Sequence, residues 1–217
     1  MVYKNKEIHS KTRLAGAKFI TFEGIEGCGK STQTRMLLES LAQKNIDAII
    51  TREPGGTKAS EAIREILISD NLEKLETKTE IFLNFAARIE HVEKTIKPAL
   101  EAGKTVICDR FFDSTLAYQG YGFGADLALI KRINEMAIDD FAPDITFLID
   151  VSVDIAFARI KDRSTNNRYE KLGRDFHQRT RDGFLEIAAK NNRIKIIDGT
   201  KSVAEIAKII EDKLFVD

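Results

Sequence analysis

The chain has 217 residues, 43% hydrophobic and 31% charged, with 34 lysines and arginines against 34 aspartates and glutamates. That length buries a full core without disulfides or metal staples, and the balanced charge lacks the basic field that binds a nucleic-acid backbone, which argues against a nucleic-acid partner. Cys28 and Cys108 form neither a disulfide framework nor a metal-ligand spacing, and no apolar run reaches bilayer-spanning length, so the expectation is a cytoplasmic protein with no membrane partner.

The first residues, MVYKNKEIHSKTRLAG, are polar and basic without a sustained period, and residues 1–17 read as a flexible arm. Phe19 to Phe22 is a short β-rich run, followed at once by glycines and a helical pattern carrying Met36, Leu37, Leu38 and Leu41. Ile46 to Thr51 reads as a buried strand, and Ile63, Ile66 and Leu67 give the next helix its apolar stripe. From about Thr79 a long helix carries Ile81, Phe82, Phe85, Val92, Ile96 and Leu100 before Gly103 ends it. Thr105 to Cys108, Ile145 to Ile149 and Ile194 to Ile197 are further apolar strands, and the polar run Ser164 to Asn167 between arginines reads as a mobile loop. Short apolar strands alternating with helices predict an α/β chain with a five-stranded parallel sheet covered on both faces, and ligands at the strands' carboxyl ends. Residues 18–217 are expected to form one domain.

Between the first strand and the first helix, Gly24-Ile25-Glu26-Gly27-Cys28-Gly29-Lys30-Ser31 matches the phosphate-loop pattern G-x-x-x-x-G-K-[ST]. Its glycines let successive N–H groups face phosphate oxygens at a helix N-terminus, so Gly24 to Thr32 are candidate nucleotide-phosphate-binding residues. Lys30 would reach the β- and γ-phosphates, and Ser31 would hold Mg²⁺. Asp109, at the carboxyl end of the Thr105 strand, is the second candidate for Mg²⁺ or its water shell. The adjoining Arg110 can clamp an acceptor phosphate bidentately. Switches and motors carry the same loop, so the motif alone does not name a reaction.

The segments FEGIEGCGKST (22–32), TREPGGT (51–57), FAAR (85–88), DRFFDSTLAYQG (109–120) and PDITFLIDV (143–151) together resemble the bacterial thymidylate kinases, in order from about residue 18 to the carboxyl end. The resemblance implies a three-layer P-loop kinase fold with a lid at about 158–170, ATP with Mg²⁺ as donor, dTMP as acceptor, and a homodimer. It assigns Arg52 and Arg110 to the acceptor phosphate, Pro54 of the Arg-Glu-Pro-Gly-Gly turn to substrate binding, and Arg88 to the thymine or the phosphate zone. Phe85 would stack on the pyrimidine, although its helical spacing with Phe82 also suits a core residue, and some relatives place the aromatic one position earlier, at Asn84 here. Thr115 and Gln119 would bond the base, and Tyr118 would crowd the sugar's 2′ position. Glu26 would turn toward the acceptor sugar. A catalytic arginine would come from the lid, where Arg159, Arg163 and Arg168 are candidates. Cys28 and Cys108 would border the donor site and be open to ATP-protectable alkylation.

Two rivals remain from the residues themselves. A deoxynucleoside kinase would need a base to activate a hydroxyl, and Glu53 stands where one could act; a nucleotide-dependent switch would phosphorylate no small molecule.

Overall fold

The computed structural model describes residues 16–161 and 168–215. In chain order the elements are β1 (Phe19–Glu23), α1 (Lys30–Gln43), β2 (Ala48–Arg52), α2 (Lys58–Ile68), α3 (Thr77–His91), α4 (Lys97–Glu101), β3 (Thr105–Asp109), α5 (Phe112–Thr115), α6 (Leu127–Ile138), β4 (Ile145–Asp150), α7 (Val153–Ile160), α8 (Arg174–Ala189), β5 (Ile194–Asp198) and α9 (Val203–Phe215). The strands form one parallel sheet in the order β2-β3-β1-β4-β5. The chain therefore winds outward from β1 in both directions, and the loop after β1 lies at the point where the order reverses.

Alternation along β1 decides the two faces. Ile20 and Phe22 join Leu37, Leu41, Phe147, Phe184 and Ile210 on one side, while Phe19 packs with Val92, Ile96, Leu100, Val106 and Phe111 on the other. Thr21 and Thr146 share a buried hydrogen bond of 2.6 Å in the middle of the sheet, which satisfies two hydroxyls in an otherwise apolar layer. The second strand differs from its expected burial. It starts two residues later, at Ala48, and it is an edge, with Ile50 38% exposed, because nothing pairs beyond it in the sheet.

Two π-helical turns interrupt the helices, at Val92–Ile96 between α3 and α4 and at Leu116–Gly122 after α5. The second carries Tyr118 and Gln119 and packs against α8. Residues 1–15 of the arm and 162–167 of the lid, including Arg163 and Ser164 to Asn167, lie outside the described residues.

Candidate active site

The donor loop follows β1 directly, and α1 starts at Lys30 with Gly29 as its cap. Gly27 adopts φ 79°, and a Cβ there would stand 2.5 Å from the carbonyl oxygen of Ala156 on α7. Only glycine fits so close a backbone approach with that dihedral. Lys30 Nζ donates to the carbonyls of Gly24 (2.9 Å) and Ile25 (3.0 Å). Ser31 Oγ donates to Asp109 Oδ2 at 3.0 Å, while Asp109 Oδ1 is buried with no hydrogen-bond partner among the described residues. A carboxylate oxygen left over beside a serine hydroxyl is the hard-oxygen donor set that suits Mg²⁺ held mainly by phosphates and water. Among the described residues no cluster of three His, Cys, Asp or Glu side chains offers an all-protein metal cage. Arg159 bonds the carbonyl of Gly199 at 3.0 Å and approaches that of Cys28 at 3.4 Å, joining the loop to the turn after β5.

Beside the donor loop lies a cavity of about 550 Å³ whose wall includes Glu26, Pro54, Arg64, Asn84, Arg88, Arg110, Thr115, Tyr118, Gln119 and Tyr169. A second cavity, of about 630 Å³, is lined by Glu26, Gly27 and Gly29 to Thr32 of that loop, by Asp109 and by Glu170. Glu26, Arg64 and Arg110 line both cavities, so the two are contiguous.

Arg110 stands at the junction. It adopts φ 73°, a conformation that costs a non-glycine residue and is retained where the surroundings over-determine it. Its Nη1 donates to Gly24 O (3.0 Å) and Ser114 Oγ (3.1 Å), and its Nη2 to Glu26 Oε1 (3.0 Å) and the Tyr118 hydroxyl (3.0 Å). Gly24 O thus receives both Lys30 and Arg110, and the two cations meet at one carbonyl. Tyr118 in turn donates to Glu26 Oε2 at 2.6 Å.

The charges explain each other. Burial pushes the Glu26 carboxyl up, but Arg110 and Lys30 outweigh it and hold it below its ordinary range. Burial likewise opposes the Arg110 charge, and Tyr118, Glu26 and Asp109 more than restore it. Arg64 is pushed down by burial, then by Arg52 and Arg110, so its charge is crowded by like charges, Arg110 on the cavity wall and Arg52 outside it. At the end of β1, Glu23 is enclosed and accepts from Phe111 N (2.8 Å), Ser114 N (3.3 Å) and Ser114 Oγ (2.5 Å). Burial, with Asp113 nearby, raises its carboxyl from 4.5 to about 7.

Several site assignments need correction. Phe85 does not face the cavity; it is buried against Ile81, Leu116 and Ile130, with Phe112 and Arg88 over its ring, because it points inward from α3 while Asn84 takes the cavity wall. Arg52 is exposed and paired with Glu61 at 2.7 Å, and it is Arg64, from α2, that stands with Arg88 and Arg110 on the wall. Arg168 turns to the acceptor side, where Nη2 meets Glu80 at 2.6 Å and Nε meets Leu67 O at 2.5 Å, away from the donor loop. Cys28 and Cys108 are buried, and burial raises the Cys108 thiol well above its usual range, which removes the basis for rapid alkylation of Cys108. Glu53 is spoken for on both oxygens, by Arg88 Nε at 2.7 Å and His91 Nδ1 at 3.1 Å, so it is not poised as a base. Arg88 also reaches Thr115 Oγ1 at 3.1 Å and keeps Nη1 buried without a partner among the described residues.

Arg64, Glu80 and Tyr169 were missed from the sequence, while Asn84 was named only as the alternative place for the aromatic. A lone arginine on an amphipathic helix reads as surface, and Glu80 and Tyr169 sit in polar contexts that carry no spacing signal.

A family model for thymidylate kinase matches residues 22–210. A thymidylate kinase of Carboxydothermus hydrogenoformans is 46% identical over 189 residues, 87% of this chain and 92% of that one. One of Symbiobacterium thermophilum is 44% identical over 193 residues, 88% and 90% of the two chains. The crystal structure of thymidylate kinase from Ehrlichia chaffeensis superposes with a TM-score of 0.76 at 40% identity, covering 92% of this chain and 99% of its own. The contiguous cavities and their shared arginines therefore stand in a chain that belongs to the thymidylate kinase family.

Proposed function

We propose that the chain transfers the γ-phosphoryl of ATP to dTMP, giving ADP and dTDP, with ATP on the Gly24–Thr32 loop and dTMP in the adjoining cavity. The observation that carries this reading is the meeting of Lys30 and Arg110 at Gly24 O, between two cavities that share Glu26, Arg64 and Arg110. Two phosphorylated anions repel until fixed cations neutralise them, and crowded guanidiniums are relieved by an anion. A dTMP phosphate oxygen attacks the γ-phosphorus as the bond to the β–γ bridging oxygen breaks. At neutral pH that oxygen is already largely ionised, so no general base is required. The occupied state of Glu53 supports a monophosphate acceptor over a nucleoside.

In this reading Lys30 holds the transferring group, and Arg110 clamps the acceptor phosphate with Arg64 beside it. Arg88, Thr115 and Gln119 face the base, and Tyr118, bonded to Glu26, closes the sugar end. Ser31 and Asp109 would hold Mg²⁺, which would offset the negative charge of the transferring phosphoryl group. Residues 18–217 act as one kinase unit with a lid at about 158–170, working in the cytoplasm. It acts as a homodimer through the apolar face that exposes Phe82 and Ile89. Incubating the chain with ATP, Mg²⁺ and dTMP and separating the nucleotides is expected to give ADP and dTDP in equal amounts, with turnover lost on chelation and restored by Mg²⁺. ADP without dTDP would reject the assignment.

A further inference from the structure

Glu80, on α3, touches none of the phosphate-binding groups, yet its side chain is only 1% exposed at the flank of the acceptor cavity. Three donors satisfy it. Arg168 Nη2 reaches Oε1 at 2.6 Å, while the Tyr169 hydroxyl at 2.9 Å and Gln119 Nε2 at 3.0 Å reach Oε2. A charge so enclosed persists only when fully hydrogen-bonded.

The consequence falls on Gln119. An ionised carboxylate accepts and never donates, so it must face the amide's NH₂ group and not its oxygen. The amide nitrogen is spent on Glu80 and, at 3.3 Å, on the Tyr169 oxygen. The polar atom that Gln119 offers the cavity it lines is therefore Oε1. On the same wall Arg88 holds Nη1 buried and, among the described residues, without a partner, its other nitrogens engaged by Glu53 and Thr115. The wall shows an acceptor together with a charged donor.

We propose that Glu80 is a specificity-determining positioning residue. By holding the Gln119 amide with its oxygen toward the cavity, it makes the wall read a pyrimidine edge with N–H beside C=O and reject one with a bare ring nitrogen beside an amino group. Thymine presents the first pattern at N3 and O4, and cytosine presents the second. With cytosine the Arg88 donor would meet an amino donor and the Gln119 oxygen a ring lone pair, leaving enclosed polar groups unpaired. This inference rests on the assignment of the cavity to dTMP.

The test measures kcat/KM for dTMP and for dCMP in the parent, Glu80→Gln, Gln119→Leu and the double variant. A glutamine at position 80 can donate as well as accept, so Gln119 is free to turn. The dTMP-to-dCMP ratio is expected to fall by about tenfold or more in Glu80→Gln, and the double variant is expected to match Gln119→Leu alone. A residue that only supports the fold would slow both substrates alike, so an unchanged ratio in a cooperatively melting Glu80→Gln overturns the proposal. If that variant does not fold, Glu80→Asp, which withdraws the carboxylate from Gln119, is read by the same criterion. A parent enzyme with no dTMP turnover would instead overturn the assignment of the cavity.

Discussion

At the scale of single residues, charge placement separates the arginines that line the cavities from one that is paired in solvent. Arg52 follows a recognisable sequence pattern but spends its charge on Glu61 in solvent, where an ion pair contributes little. Arg64 has no pattern around it, yet it lines both cavities and is crowded by Arg110. Arg64→Ala is accordingly expected to lower kcat/KM for dTMP by about a hundredfold, and Arg52→Ala by less than about tenfold. Steady-state kinetics at fixed ATP checks this, and the reverse order would return the clamp to Arg52. Glu23 gives a second expectation. Its folded carboxyl titrates near 7 instead of 4.5, so between those values the folded state holds a proton that the unfolded chain has lost. Stability must then fall as pH rises through that window and level off above it. Glu23→Gln removes the titration, so urea unfolding at a few pH values should show a flatter profile in the variant; identical slopes would mean Glu23 ionises normally.

At the scale of elements, the phosphate loop was legible because its chemistry demands a fixed residue pattern, and Gly27 shows why: no side chain fits beneath α7. The strands were legible from their apolar runs, apart from the half-exposed edge β2, whose isoleucines read as buried. Phe85 was misread because one position along α3 separates the core from the cavity, and periodicity does not reveal where the cavity will be. The π turn that places Tyr118 and Gln119 could not be foreseen either, since π turns arise from packing and leave no spacing signal. The lid arginines part in the same way: Arg159 joins the donor loop and Arg168 the acceptor side only once the helices are packed. On α3, Phe82 and Ile89 lie two turns apart on one face, 55% and 40% exposed. A second copy of the chain covering that face would remove them from water. Light scattering is expected to give a dimer for the parent and a monomer for Phe82→Glu; an unchanged dimeric mass in the variant would place the interface elsewhere.

At the scale of the molecule, the order β2-β3-β1-β4-β5 sets the donor loop after β1 beside Asp109 and Arg110 after β3, because those strands are neighbours. The turn from Glu53 to Gly55 follows β2, on the far side of β3, and brings Pro54 to the acceptor wall. Sheet order is thus what brings three distant sequence motifs to one site, to which the proposed function gives two anion-binding halves. The central claim is that the second half accepts a phosphate and not a hydroxyl. Its most direct test compares kcat/KM for dTMP and thymidine, by ADP release with ATP and Mg²⁺ in excess and a control without acceptor. The expected preference for dTMP is about a thousandfold or more, with negligible release in the control. Turnover of thymidine equal to or faster than that of dTMP, or ADP release independent of any acceptor, would contradict it.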